Sequence, residues 1–446
     1  MMKRSGWLTI VACSCVSLLS AACSSGSGNG NPDAAKPGEA VNQEEAAELT
    51  FYGNSTQSQQ YFNTYYGDAI RKKFPNYTIH YLQLDAAVKA TTLPELVATK
   101  TTIDIYYATI GNFESALQTY DLQVDMTDLI KKHGIDTNRF EPTLIDAMKI
   151  NTGGLLYGIP IQSNVQALYY NKDLFDKFGV PYPKDGMTWD EAAEISGKLT
   201  RFADGKQYYG FSATFGHTIR SNQFSLARAD PKTETPTIAA DPKWKTFYET
   251  IFGKMMPGEA YKQRFLQNST LDGINGFIKD QEVGMLNFFA QLYLTNPEEL
   301  KAMNWDLVSM PTFRELPGIG SQSYPMYFGV TKLAKNPDAA AKVLKYMASE
   351  EFQVSLARKG WMSSLNTEKV RKEYGQDTPF KEKNFAALFI NKPAVIPAAP
   401  IYDPALVSQY QAAAQSLIKG TTDINTVFRN AEEAGSKAIK AAQQAK

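Results

Sequence analysis

Short apolar runs and amphipathic stretches take turns along the first part of the chain. AELTFYG (47–53), YTIHYLQL (77–84) and IDIYYA (103–108) have strand length and are rich in β-branched and aromatic residues. Tyr61 to Phe74 and Leu93 to Lys100 instead space their apolar positions as helices do. The pattern predicts a βαβαβ unit, whose crossovers imply a parallel sheet. Open α/β sheets receive ligands beyond the carboxyl ends of their strands. That rule nominates Asn54, Ser55 and Gln57 after the first strand, Asp85 after the second, and Tyr107, Thr109 and Asn112 after the third. Any one of them is an ordinary turn former or helix cap. Their convergence at three successive strand ends is the signal.

The pattern changes between Tyr157 and Gly186. A Gly-Pro bend leads to a polar knot (Gln162, Ser163, Asn164), an apolar run ending in two tyrosines, and a helix predicted to be capped by Asp173 and stopped at Gly179. The knot either satisfies itself in a core or meets a ligand. Thr188 to Glu191 has capping-box spacing and opens a helix through Leu199. RFADGKQYYGFSA reads as a hairpin around Asp204-Gly205 and lacks the alternating oxygen ligands of a calcium loop. Residues 220–320 are weakly periodic. YPMYFGVTK is a strand, Asn336-Pro337 and Ser349 start two helices, Gly360 ends the second, and 405–446 is an Ala-rich helical tail.

Composition then narrows the class. At 446 residues the chain is too long for one core and suits two lobes. Its 46 basic and 46 acidic residues cancel, so no basic field points to nucleic acid. The 24 Tyr and 24 Phe, many beside amides and hydroxyls, suit a wet binding surface. Residues 1–22 read as a leader: a basic start at Lys3 and Arg4, then an apolar run from Trp7 to Leu19 that is too short to span a membrane. LLSAAC, ending at Cys23, resembles a bacterial lipobox, with Ser20 where Leu is usual. IVAC at Cys13 fits the four-residue pattern but leaves a short apolar run. A Gly/Ser/Pro-rich tether over 23–46 favours Cys23 as the lipidated residue. A cleaved secreted protein with an incidental cysteine is the alternative. All three Cys lie within residues 13–23, which leaves the body without a disulfide, zinc site or thiol nucleophile. The His residues, at 80, 133 and 217, are scattered, and no metal or cofactor is expected.

YGIP, ALYYNKDLFDKFGVPYP and TWDEAAEISGKLT, in that order, resemble the extracellular solute-binding proteins of bacterial ABC importers, in the sugar-binding branch that includes maltose-binding protein. DIYYATIGNF, FIKDQEVGMLNFF and YFGVTKLAKNPDAAAKVLKYMASEEFQ fit the same family, so the resemblance runs from residue 47 to near the C-terminus. Asp280 stands where the family often has Gly. The resemblance implies an α/β fold of two lobes joined by crossing strands, with a ligand cleft between them. Lobe 1 would be 47–162 with 325–395, and lobe 2 would be 163–324 with 396–446. It implies ligand contacts at Tyr107 to Asn112, at Gln162 and Asn164 in the hinge, at Phe215 and His217, and at Phe289 to Gln291. Tyr327 and Trp361 are further aromatic candidates. Asn164, Phe215 and Gln291 replace acids or Trp of related sugar binders, a departure from a maltose-like ligand set.

The implied protein is a lipid-anchored monomer on the outer face of the cell membrane. It would capture a carbohydrate, an oligosaccharide or modified sugar, for ABC permease subunits and their ATPase, without catalysing a reaction itself. Phe289, Tyr327 and Phe328 have core filling as their ordinary reading. The rivals are a surface-tethered glycan-active enzyme, which needs two carboxylates across a cleft, and a binder of a non-sugar solute. No nucleophile elbow or phosphate-binding glycine loop is present in the sequence.

Overall fold

The computed structural model of the chain describes residues 45–53, 55–267, 271 and 273–444. The leader, most of the tether, Cys23 and Asn54 lie outside them. The predicted βαβαβ unit is present: β1 (Ala47–Gly53) lies between β2 (Tyr77–Leu82) and β3 (Ile105–Thr109), all parallel. β2 is an edge strand and buries alternate residues, whereas β3 is covered on both faces. The helical run after β1 contains a π turn at Asn63–Gly67, a distortion often found at functional sites.

After β4 (Ile159–Ser163) the chain leaves this sheet and builds a second one from β5 (Gln166–Asn171), β6 (Arg201–Ala203), β7 (Lys206–Ala213), β8 (Val283–Phe289) and β9 (Trp305–Ser309). It passes through β10 (Ile319–Gln322) and returns to the first sheet with β11 (Met326–Val330) and β12 (Met362–Ser363). β13 (Lys392–Ala394) then pairs with β10. The orders are β12-β4-β11-β3-β1-β2 and β6-β7-β8-β5-β9, so the fold is two α/β lobes, each with its own sheet. The chain is back on the second sheet by Phe380, whose ring meets Trp305 at 5.5 Å. The backbone N–H of Asn384 then donates to Asp306.

Local signals account for most element ends. Thr188 and Glu191 form the predicted capping box of the helix Trp189–Leu199. Asp204 and Gly205 both take positive φ in the β6–β7 hairpin. Pro337 opens the helix Pro337–Met347 and Ser349 caps Glu350–Arg358. The cap of Lys172–Phe178 differs from expectation: Asn171, not Asp173, accepts from Leu174 N. Asp173 sits inside the first turn and instead accepts from Asn304 Nδ2 at 2.8 Å. Gly53 has a positional reason, because a Cβ there would overlap the Tyr107 ring that lies across β1.

Candidate functional site

The two lobes meet where the chain crosses between them. The π turn and the helical turn Gln59–Phe62 before it present Tyr65, Tyr66 and Tyr61 on the first lobe, and Trp361 stands edge-on to Tyr61 and Tyr65 with centroids 6.2 and 5.9 Å away. Tyr66 donates its hydroxyl to Gln162 Oε1, the first residue of the polar knot. In the same region the buried Trp361 Nε1 and Ser163 Oγ have no hydrogen-bond partner among the described residues. From the second lobe Tyr293 donates to the carbonyl of Gly360 at 2.9 Å and shares a hydrogen bond with the Tyr374 hydroxyl at 3.0 Å. Gly360 has φ +90°, and a Cβ there would lie 2.6 Å from the Tyr293 hydroxyl, so only glycine admits this contact without strain.

Asn164 occupies the crossing itself and is buried. Its Nδ2 donates to Gln291 Oε1, its Oδ1 accepts from Ala290 N at 3.1 Å, and its carbonyl accepts from Tyr324 N at 2.8 Å. It therefore ties the loop after β8 to both crossing segments. Tyr324, on the return crossing, stacks on Phe289 at 5.1 Å, and His217 packs against the same Phe289 at 4.8 Å. Burial, with a smaller contribution from the nearby Arg220 charge, pushes the His217 pKa down to about 4, so the imidazole is neutral at neutral pH.

A side-chain relay spans the lobes beside this stack. Arg220 Nη1 donates to the Tyr324 hydroxyl at 2.7 Å. Tyr324 donates to Thr109 Oγ1 at 3.2 Å, and Asn112 Nδ2 reaches the same oxygen at 3.3 Å. The relay borders an interlobe cavity lined by Asn112 and Asn151 from the first lobe, Arg220 and Ser221 from the second, and Ser323 and Tyr324 from the crossing. The cavity's volume is about 70 Å³, room for only a few waters, so a larger ligand needs the lobes to part. Arg228 and Asp403 close the far side as a buried ion pair. Glu114, behind Gly111, is buried and its pKa is raised by that burial, while its Oε2 accepts from Gly111 N at 2.7 Å.

Of the residues nominated by sequence, the structure brings Thr109, Asn112, Asn164, His217, Phe289 and Gln291 together around Tyr324. Gln162 and Trp361 join the tyrosine cluster, and Asp85 caps a local turn by accepting from Ala87 N. Gln57 accepts from the Tyr107 hydroxyl at 3.0 Å, and the Tyr107 ring is buried flat against Phe328. Ser55 is half-buried nearby in sequence, with its Oγ unpartnered. Phe215 lines a different cavity of about 330 Å³ with Phe265, Leu271 and Gln411. Tyr327 is a correction: it is fully buried on the opposite face of β11 from Phe328, against Phe113, and donates to the Leu144 carbonyl at 2.6 Å. It fills the core of the first lobe. Sequence reasoning missed Arg220, Tyr324 and Asn151. Arg220 was within reach, since it follows His217 by three residues and shares its helix face.

A family model described as bacterial extracellular solute-binding protein matches residues 40–354. The chain belongs to that family. Among solved structures this solute-binding protein is similar to a sugar transporter of Rhizobium etli in an open conformation. The two are 20% identical with a TM-score of 0.70, over 88% of this chain and 99% of that one. It is also similar to an ABC substrate-binding protein of Listeria monocytogenes in complex with cycloalternan, 17% identical with a TM-score of 0.67, over 89% and 100% of the two chains. At these identities the likeness is one of fold. A Brucella abortus protein named as a binding protein is 24% identical over 267 residues, and the match covers 56% of this chain and 58% of that relative. No helix among the described residues is long and apolar enough to cross a membrane.

Proposed function

We propose that this solute-binding protein captures a carbohydrate, an oligosaccharide or modified sugar, between its lobes and delivers it to the permease of an ABC importer. In this reading Cys23 carries the lipid anchor, residues 23–46 are the tether, and the lobes hinge at the crossings near 160–164 and 323–328. The chain itself performs no chemistry, and the ATPase belongs to its partners. The observation that carries the reading is the make-up of the crossing. Tyr324 offers a ring beside the planar amides of Asn112 and Asn151, which share its cavity lining. Pyranoses need that combination, CH faces against rings and hydroxyls against paired donors and acceptors. The sugar transporter and the cycloalternan complex among the similar folds favour the same ligand class.

The test is a thermal-shift and calorimetric screen of the purified protein against mono- and oligosaccharides, with product analysis alongside. A sugar present at a hundred times its Kd raises stability by about 2.7 kcal/mol, and amides at the crossings gain exchange protection. Hydrolysis of a glycan, abolished by changing one cleft acid, moves the protein to the enzyme class. Stabilisation by a peptide or amino acid, with no sugar active, moves it to another solute.

A further inference from the structure

The interlobe cavity is not neutral. Its charged lining groups are Arg220, Arg228 and Asp403, two cations against one anion. Arg228 and Asp403 are both buried and bonded to each other, which accounts for one of the cations. Arg220 has no such partner: among the described residues no carboxylate lies within 4.0 Å of its guanidinium. Its guanidinium instead donates to an uncharged group, the Tyr324 hydroxyl, with the ring of Tyr324 5.7 Å from its Cζ. A guanidinium has five N–H donors, so most of its bonding capacity faces the cavity or water. The neighbouring groups do not offset the charge. His217 is neutral, and the raised pKa of buried Glu114 accompanies a carboxylate whose Oε2 is already held by Gly111 N. In the same lining, the buried Arg228 Nε has no hydrogen-bond partner among the described residues, so the surplus of donors is larger than the ion pair alone suggests.

A planar, permanently charged fork left without a counter-ion in a partly enclosed cavity of mixed lining matches one ligand chemistry. Carboxylate and phosphate oxygens accept two parallel N–H bonds from it, whereas a neutral hydroxyl uses the fork poorly. We infer that Arg220 selects an anionic substituent, a carboxylate or a phosphate, on the captured ligand. This rests on the carbohydrate reading and narrows it to an acidic or phosphorylated sugar. The amides of Asn112 and Asn151 and the hydroxyls of Ser221 and Ser323 lie in the same lining and supply partners for the sugar hydroxyls.

The experiment is isothermal titration of the purified chain with three matched sets: neutral oligosaccharides, the corresponding uronic acids, and sugar phosphates. Inorganic phosphate and glycerol 3-phosphate are run as non-sugar controls. One anionic set binds at least about tenfold more tightly than its neutral counterpart, and the uronate and phosphate arms identify which anion is read. Arg220→Gln shrinks that anionic-to-neutral ratio about tenfold, while Arg220→Lys, which keeps the charge but not the fork, retains part of it. Melting curves of both variants establish that they are folded. Neutral sugars binding as tightly as the anionic ones, with Arg220→Gln weakening both sets alike, overturns the inference and leaves the carbohydrate reading intact. Glycerol 3-phosphate binding where no sugar does supports the anion site and overturns the carbohydrate reading. Silence in every arm overturns both.

Discussion

Replacing Asn164 by Ala separates the two readings that the polar knot left open. In the structure the side chain makes two hydrogen bonds and sits beside none of the cavity-lining groups as a free donor. Its removal takes one of two acceptors from the N–H of Ala290, a residue only 1% exposed, and leaves the Val165 carbonyl at 2.9 Å. Losing one branch of a shared hydrogen bond costs about 0.5–1 kcal/mol. Gln291 is half-buried and can turn toward solvent, so its lost bond adds about 0.5–1 kcal/mol. The sum is a loss of about 1–2 kcal/mol in the ligand-free protein, measured as a fall in the urea midpoint at 25 °C with an unchanged slope. Gln291→Ala alone should cost less, because Asn164 keeps its bond to Ala290. The double variant should show a coupling of about 0.5–1.5 kcal/mol. A loss below about 0.5 kcal/mol for Asn164→Ala, together with a large drop in ligand affinity, would refute the reasoning and turn Asn164 into a ligand contact.

Other outcomes follow from single contacts. Tyr327→Phe removes the bond to the Leu144 carbonyl and should cost about 1 kcal/mol of stability without changing ligand affinity, checked by denaturation and titration. Arg228→Met strands a buried carboxylate and should cost about 3–5 kcal/mol, of which the Arg228→Met/Asp403→Leu pair recovers most in the same urea assay. His217 has a folded pKa of about 4 against 6.5 unfolded, so the unfolded chain binds the extra proton between those values. Its contribution is fully present above about pH 6.5 and is lost as pH falls toward 4. The gap in urea midpoint between wild type and His217→Gln should change across that window and be flat above it. Gly53→Ala forces the Tyr107 ring to move and should cost about 1–3 kcal/mol by overpacking, read as a lower melting temperature.

The first sheet was legible because its strands alternate or run apolar at strand length, and its helices carry ordinary caps and stops. The two-lobe architecture was legible through resemblance, not through periodicity, since residues 220–320 mix short helices whose ends are set by tertiary packing. The site was half legible. Strand-end polarity found Thr109 and Asn112 because that rule concerns topology. It also swept in Tyr107, whose ring is buried in the sheet. Tyr327 and Phe328 are adjacent in an apolar strand, and only the register against β3 and β4 decides which face each takes. Arg220 was signalled only by its spacing from His217, and Tyr324 carried no motif, because the relay between residues 109, 220 and 324 joins segments far apart in sequence.

The lacing of the two crossing segments has a mechanical consequence. β4 and β11 pair up to Gln162 and Met326, Tyr324 N then reaches the Asn164 carbonyl, and Gln166 N reaches Ser321 Oγ at 2.9 Å. Two untied strands would let the lobes swivel and shear independently. Strands bonded along their whole passage bend as one ribbon, which leaves a single soft direction perpendicular to its face. For these two passages the wobble is thereby reduced to a one-dimensional coordinate, while the third passage, from β12 to Phe380, joins the lobes outside the ribbon.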